Sequence, residues 1–165
     1  MTIFVRSTCT DWRSSLEAKL NNLDFPKERA VYDMGSNSSV RIILTSVGFP
    51  ASHPMHLHGH NMQVLAEGVG SWNGTIVNPN NPQRRDTQLI RPNGYLVVQF
   101  DLDNPGMWMF HCHVAWHISE GMGINFLEQK STLQSLSFPG TIAQGCRDWS
   151  TWAGKDLEPQ IDSGL

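Results

Sequence analysis

Trp108-Met109-Phe110-His111-Cys112-His113-Val114-Ala115-Trp116-His117, followed by Met122, is the stretch whose reading decides the fold. In an extended strand, alternate side chains share a face. His111 and His113 then project together, and Cys112 projects to the opposite side. One strand thus offers two imidazoles to one site and a thiolate to another. A second window, His53-Pro54-Met55-His56-Leu57-His58-Gly59-His60, follows the same logic: His56 and His58 share a face. His53 and His117 remain able to reach the side of the cysteine. All seven histidines of the chain fall in these two windows.

One Cys, two His and a weak Met form the ligand set of a blue-copper centre. Cys112, His53 and His117 would make its trigonal plane, and Met122 the long axial ligand. His56, His58, His111 and His113 suit further copper ions. Cys112 is covalently bonded to both neighbours, so the two sets are joined through the chain. Isolated histidines are usually surface or hydrogen-bonded residues, but seven in two clusters do not read that way. Zinc sites usually bring cysteines in Cys-x-x-Cys pairs, and here one cysteine lies near any histidine.

The flanking sequence reads as short strands. Val40–Val47 is rich in β-branched residues and ends at Gly48-Phe49-Pro50. Met62–Ala66, Thr87–Ile90, Tyr95–Phe100, Trp108–His113 and Gly123–Glu128 follow the same pattern. Residues 71–86 read as a loop, because Asn73-Gly74, Asn78-Pro79 and Asn81-Pro82 are turn formers. This spacing predicts an all-β sandwich or barrel. Short helices are expected at Trp12–Leu20 and near Ile142–Trp149. Residues 1–35 read as a linker or incomplete preceding segment, 36–130 as the domain core, and 131–165 as a tail.

A length of 165 residues suits one domain, and the net charge of −3 leaves no basic footprint for nucleic acid. No run is long enough to span a membrane, and the start, MTIFVRSTCTDW, reads as no signal peptide. Asn37-Ser38-Ser39 and Asn73-Gly74-Thr75 are N-glycosylation acceptor patterns. Cys9 and Cys146 either pair with each other or have partners in a longer chain.

The two histidine windows resemble the C-terminal copper signatures of the multicopper oxidases, and the resemblance to those of ascomycete laccases is close. The resemblance extends over residues 35–165. It includes Asn81-Pro82-Gln83-Arg84-Arg85-Asp86-Thr87, Asp103-Asn104-Pro105-Gly106-Met107-Trp108 and the ending Asp162-Ser163-Gly164-Leu165. It implies a cupredoxin-like Greek-key β-barrel. It further implies type 1 copper on His53, Cys112 and His117, with Met122 axial. Type 2 copper falls to His56, and the type 3 pair to His58, His111 and His113. His60 has no ligand role in the pattern and reads as a supporting or structural residue. Phe49, Ala51 and Trp116 match wall positions of the family's reductant pocket. Asp162 and Leu165 match its channel plug.

The implied reaction is one-electron oxidation of phenols or similar reductants, coupled to reduction of dioxygen to water. The resemblance also marks a departure. Family members carry three cupredoxin domains, and half of the trinuclear histidines come from two His-x-His motifs in the N-terminal one. This chain has no histidine before His53. It is therefore expected to be the C-terminal domain of a longer, secreted oxidase, inactive toward dioxygen without its N-terminal and middle domains. The alternative is a stand-alone blue-copper electron carrier, which would leave four histidines without a purpose.

Overall fold

The computed structural model describes residues 25, 29–48 and 50–153. Among them the order is β1 (Val31–Asp33), β2 (Ser39–Thr45), β3 (His53–Leu57), β4 (Met62–Val69), β5 (Gln83–Arg85) and β6 (Thr87–Ile90). It continues with β7 (Gly94–Asp101), β8 (Gly106–Cys112), α1 (Ala115–Ser119), β9 (Gly123–Glu128), α2 (Lys130–Ser135) and α3 (Gly140–Ala153). The strands form two sheets, ordered β1-β9-β8-β3-β6 and β2-β7-β4-β5. All pairings are antiparallel except β1 with β9. The expected all-β architecture is observed.

The core lies between the sheets. Leu57, Phe110, Cys112 and Phe126 from the five-stranded sheet meet Met62, Leu96, Val98 and Phe100 from the other. Alternation along β8 sends Phe110 and Cys112 inward, and Met107, Met109 and His111 outward. That outer face is covered too: Met107 packs with Leu127 and Leu133 of α2, and Met109 with Ile118 of α1. With both faces buried, β8 reads as a continuous apolar run.

Several elements differ from the sequence expectation. Gln83–Arg85 lies inside the stretch read as a loop, yet pairs with Met62–Val64 as edge strand β5. Its three residues are all exposed, so no apolar pattern marks it. Val31–Asp33, inside the segment read as a linker or incomplete preceding segment, pairs with Asn125–Leu127. His53–Leu57 is a full strand between β6 and β8. The strand alternation expected of its histidines holds, although Pro54, with no N–H for the ladder, keeps it out of the expected set of strands. The tail helix is longer than expected, at Gly140–Ala153. The helix expected at Trp12–Leu20 lies outside the described residues.

Candidate metal centre

The pairing of β3 with β8 aligns Met55 with Cys112 and His56 with His111. His53 shares the inward parity of Met55 and Leu57, so it reaches the cysteine side. His117 comes from the other direction. A strand cannot fold back within five residues, but the short helix α1 does so. Gly121, at φ +94°, then reverses the chain. The Met122 N–H donates to the His117 carbonyl at 2.9 Å, and the Cys112 N–H donates to the Met122 carbonyl at 3.0 Å. Met122 is thereby fastened between the other two residues, its side chain packed on the core that contains Cys112.

The result is a tight triad. Cys112 Sγ lies 3.4 Å from His117 Nδ1 and 3.7 Å from His53 Nδ1, and the two nitrogens are 3.2 Å apart. A triangle with these sides has a circumradius of about 2.0 Å, close to a metal–imidazole bond of roughly 2.0–2.1 Å. One ion therefore fits among the three donors without rearrangement. Cys112 is a buried free thiol. Burial pushes its pKa up, against a backbone hydrogen bond at Val114 that lowers it. A bound cation reverses that preference, because a coordinating thiol is deprotonated.

The second cluster occupies the outer side of the same strands. The ligand atoms of His56, His58 and His111 lie within 4.8 Å of one another. His58 Nε2 and His111 Nε2 are 3.0 Å apart. The outer nitrogens are fixed by their partners. A carbonyl only accepts, so His111 Nδ1–H donates to the Cys112 carbonyl at 2.8 Å and turns Nε2 toward the cluster. His56 Nδ1–H likewise points at the Asp86 carbonyl, 3.0 Å away. His113 is exposed and stacks on His111 with centroids 5.7 Å apart. It stands outside the three-imidazole group.

Burial holds His111 down at about 4, against its hydrogen bond to the Cys112 carbonyl. His53 and His56 are also lowered, chiefly by burial. All three keep a metal-binding lone pair at neutral pH. A pH dependence follows for the metal-free chain. Its unfolded state binds a proton at His111 from about pH 6.5 downward, and the folded state only near 4. Stability is full above that window and falls through it by about 3 kcal/mol. Chemical denaturation of the metal-free chain at pH 7 and pH 4.5 checks this. A higher stability at pH 4.5 would contradict it.

The remaining candidates separate clearly. Trp116 is 66% exposed, with its ring against His117 at 6.2 Å. Ala51 is exposed near His53 in the chain. Asn37 and Asn73 are both exposed; Asn37 Nδ2 donates to the Met34 carbonyl, whereas Asn73 Oδ1 accepts from the Thr75 N–H. Phe49, Cys9, Asp162 and Leu165 lie outside the described residues. Sequence reasoning missed Glu128, which is 1% exposed and sits 2.9 Å from His60 Nε2. The signal available was an acidic residue at the inward parity of Ile124 and Phe126, closing a strand whose other polar residue is Asn125.

Comparison with known proteins shows the family. The family model described as multicopper oxidase matches residues 3–132. Laccase-2 of Botryotinia fuckeliana is 35% identical across 99% of this chain, which covers 30% of that protein. Laccase-1 of the same organism is 40% identical over 69% of the chain and 21% of its own length. The crystal structure of the laccase from Botrytis aclada superposes with a TM-score of 0.78 at 32% identity, over 99% of this chain and 31% of that one. The chain thus spans less than a third of the length of these relatives. With its two-sheet fold and paired His/Cys clusters, the chain belongs to the multicopper oxidase family.

Proposed function

We propose that this chain is the C-terminal copper domain of a laccase-type oxidase. It carries the type 1 site on His53, Cys112 and His117, with Met122 axial. It carries half of a trinuclear site on His56 for the type 2 copper and on His58, His111 and His113 for the type 3 pair. The observation that supports this best is the triad of donors whose circumcentre falls at metal-bond length. Bound copper would supply one-electron redox chemistry at the first site and dioxygen reduction at the second.

The chain's own residues do the rest. Cys112 faces one cluster while its backbone joins it directly to His111 and His113, which face the other. Burial of His53 and Cys112 keeps water from the first site. The exposed indole of Trp116 beside His117 forms one wall of an entry for an aromatic reductant, and by the family resemblance Ala51 and Phe49 are assigned to the same pocket. A phenolic substrate would stack there, close to the His117 imidazole that would hold the copper taking up its electron. By the family resemblance, Asp162 and Leu165 are assigned the role of a channel plug. Four imidazoles do not supply the donors for three coppers, so dioxygen reduction needs the N-terminal and middle domains. The parent enzyme is secreted, with Asn73 the better glycan acceptor because the amide nitrogen of Asn37 is already engaged. No helix among the described residues is long and apolar enough to cross a membrane.

The test is expression of this chain with copper, alone and together with a polypeptide carrying two His-x-His motifs from a laccase N-terminal region. The chain alone should be intensely blue and consume no dioxygen on a phenol. Turnover should appear only with the second polypeptide. Full oxidase activity of the chain alone, or a colourless copper-loaded chain, would overturn the reading.

A further inference from the structure

His60 stands two residues beyond His58 and its side chain is 3% exposed. It is not one of the proposed ligands. The His60 Nδ1–H donates to the His58 carbonyl at 3.1 Å. Its other nitrogen lies 2.9 Å from Glu128 Oε1, whose side chain is fully buried. Among the described residues neither Glu128 oxygen has a hydrogen-bond partner with good alignment, and the His60 imidazole is the group that lies against this carboxylate. A buried carboxylate without partners is costly. The position is expensive unless it serves something.

The surroundings show what it braces. Glu128 is paired with Gly106 at the start of β8, six residues from Cys112. His60 packs its ring on Phe100 at 5.2 Å and on Trp108 at 5.9 Å. The turn that carries His58 is fixed at each step: the Leu57 N–H donates to the Asp86 carbonyl and the His58 N–H to the Met109 carbonyl, both at 2.9 Å. Asn104 Nδ2 donates to the Gly59 carbonyl at 3.0 Å. His60 adds a bond to the His58 carbonyl itself, and Glu128 anchors that bond to β9.

We infer that His60 and Glu128 form a buried cross-brace that sets the His58 imidazole against His111, making them positioning residues for the trinuclear half-site. This rests on the reading that His56, His58 and His111 bind copper. Supporting groups that orient a ligand are worth about 10–100-fold in metal affinity. The brace acts on the backbone of His58, so its effect should be confined to that cluster. The triad of His53, Cys112 and His117 lies on the opposite side of β3 and β8.

The test separates positioning from folding. Replacing both partners of a buried pair by apolar residues of similar size is often neutral for stability. The double variant His60→Leu/Glu128→Leu is therefore expected to keep its Tm and its blue absorption. Copper(II) titration should show at least tenfold weaker binding at the imidazole cluster. Glu128→Gln, whose amide still reaches His60, should restore affinity to near the parent value. Parent-like affinity in the double variant overturns the inference. If the double variant does not fold, His60→Gln decides, because one amide cannot bridge both partners: weakened cluster binding with an intact blue band supports the brace, and unchanged binding overturns it. A parent chain that takes up copper at the blue site alone overturns the copper reading of the cluster and this inference with it.

Discussion

Replacing Cys112 by serine is expected to abolish the blue absorption and electron uptake from phenols while leaving copper binding at the imidazole cluster intact. The thiolate is the soft donor that selects copper at such a site, and the three donor atoms are already spaced for one ion. A serine hydroxyl is a poor ligand and is not deprotonated near neutral pH. Cys112 is also 0% exposed, among Met55, Leu57 and Phe110. A hydroxyl placed there has the His53 and His117 imidazoles beside it as hydrogen-bond partners, so the metal-free chain should lose about 1 kcal/mol or less. Visible spectroscopy with metal analysis checks the first part, and denaturation of the metal-free variant the second. Retention of the blue band would remove Cys112 from the site.

The second large effect belongs to a residue with no side chain. Gly59→Ala is expected to lower stability by about 2–5 kcal/mol and to weaken the imidazole cluster. Gly59 has φ +72°, and a Cβ there would lie 2.6–2.8 Å from the Trp108 ring. The left-handed backbone costs an ordinary residue about 1–2 kcal/mol, and overpacking the indole adds about 1–3 kcal/mol. Trp108 has little room to yield, because its Nε1–H donates to the Asn104 carbonyl at 2.7 Å. Any relief moves the turn that carries His58. A thermal melt and a copper titration of the variant check both parts. Gly140→Ala is the control: its Cβ meets nothing within 4 Å and its φ is unremarkable, so it should change neither quantity.

Strand alternation alone separates Cys112 from His111 and His113, and the structure keeps that separation. The same rule puts His53 on the cysteine side of β3, because its inward parity depends on chain spacing and not on any partner. What the sequence hides is how His117 returns. Five residues of α1 are too few to show a helical period, and the loop is closed by backbone hydrogen bonds to Met122. Three-residue strands are equally silent: β1 and β5 take their form from the ladder of a neighbour. The His60–Glu128 contact joins residues far apart in sequence, and only tertiary structure brings them together. Where identity is set by side-chain chemistry and local spacing, residues are readable. Where it is set by a distant backbone, they are not.

The register of β3 on β8, with Met55 opposite Cys112 and His56 opposite His111, bears on how such a chain tolerates change over descent. Deleting or inserting one residue in either strand turns every following side chain to the opposite face. Cysteine would then exchange places with histidine, and both clusters would fail together. Substitutions here can act on one cluster at a time, but length changes cannot. Lineages carrying this domain should vary freely in the loop between β4 and β5, while the spacing from His53 to His58 and from His111 to His117 stays fixed.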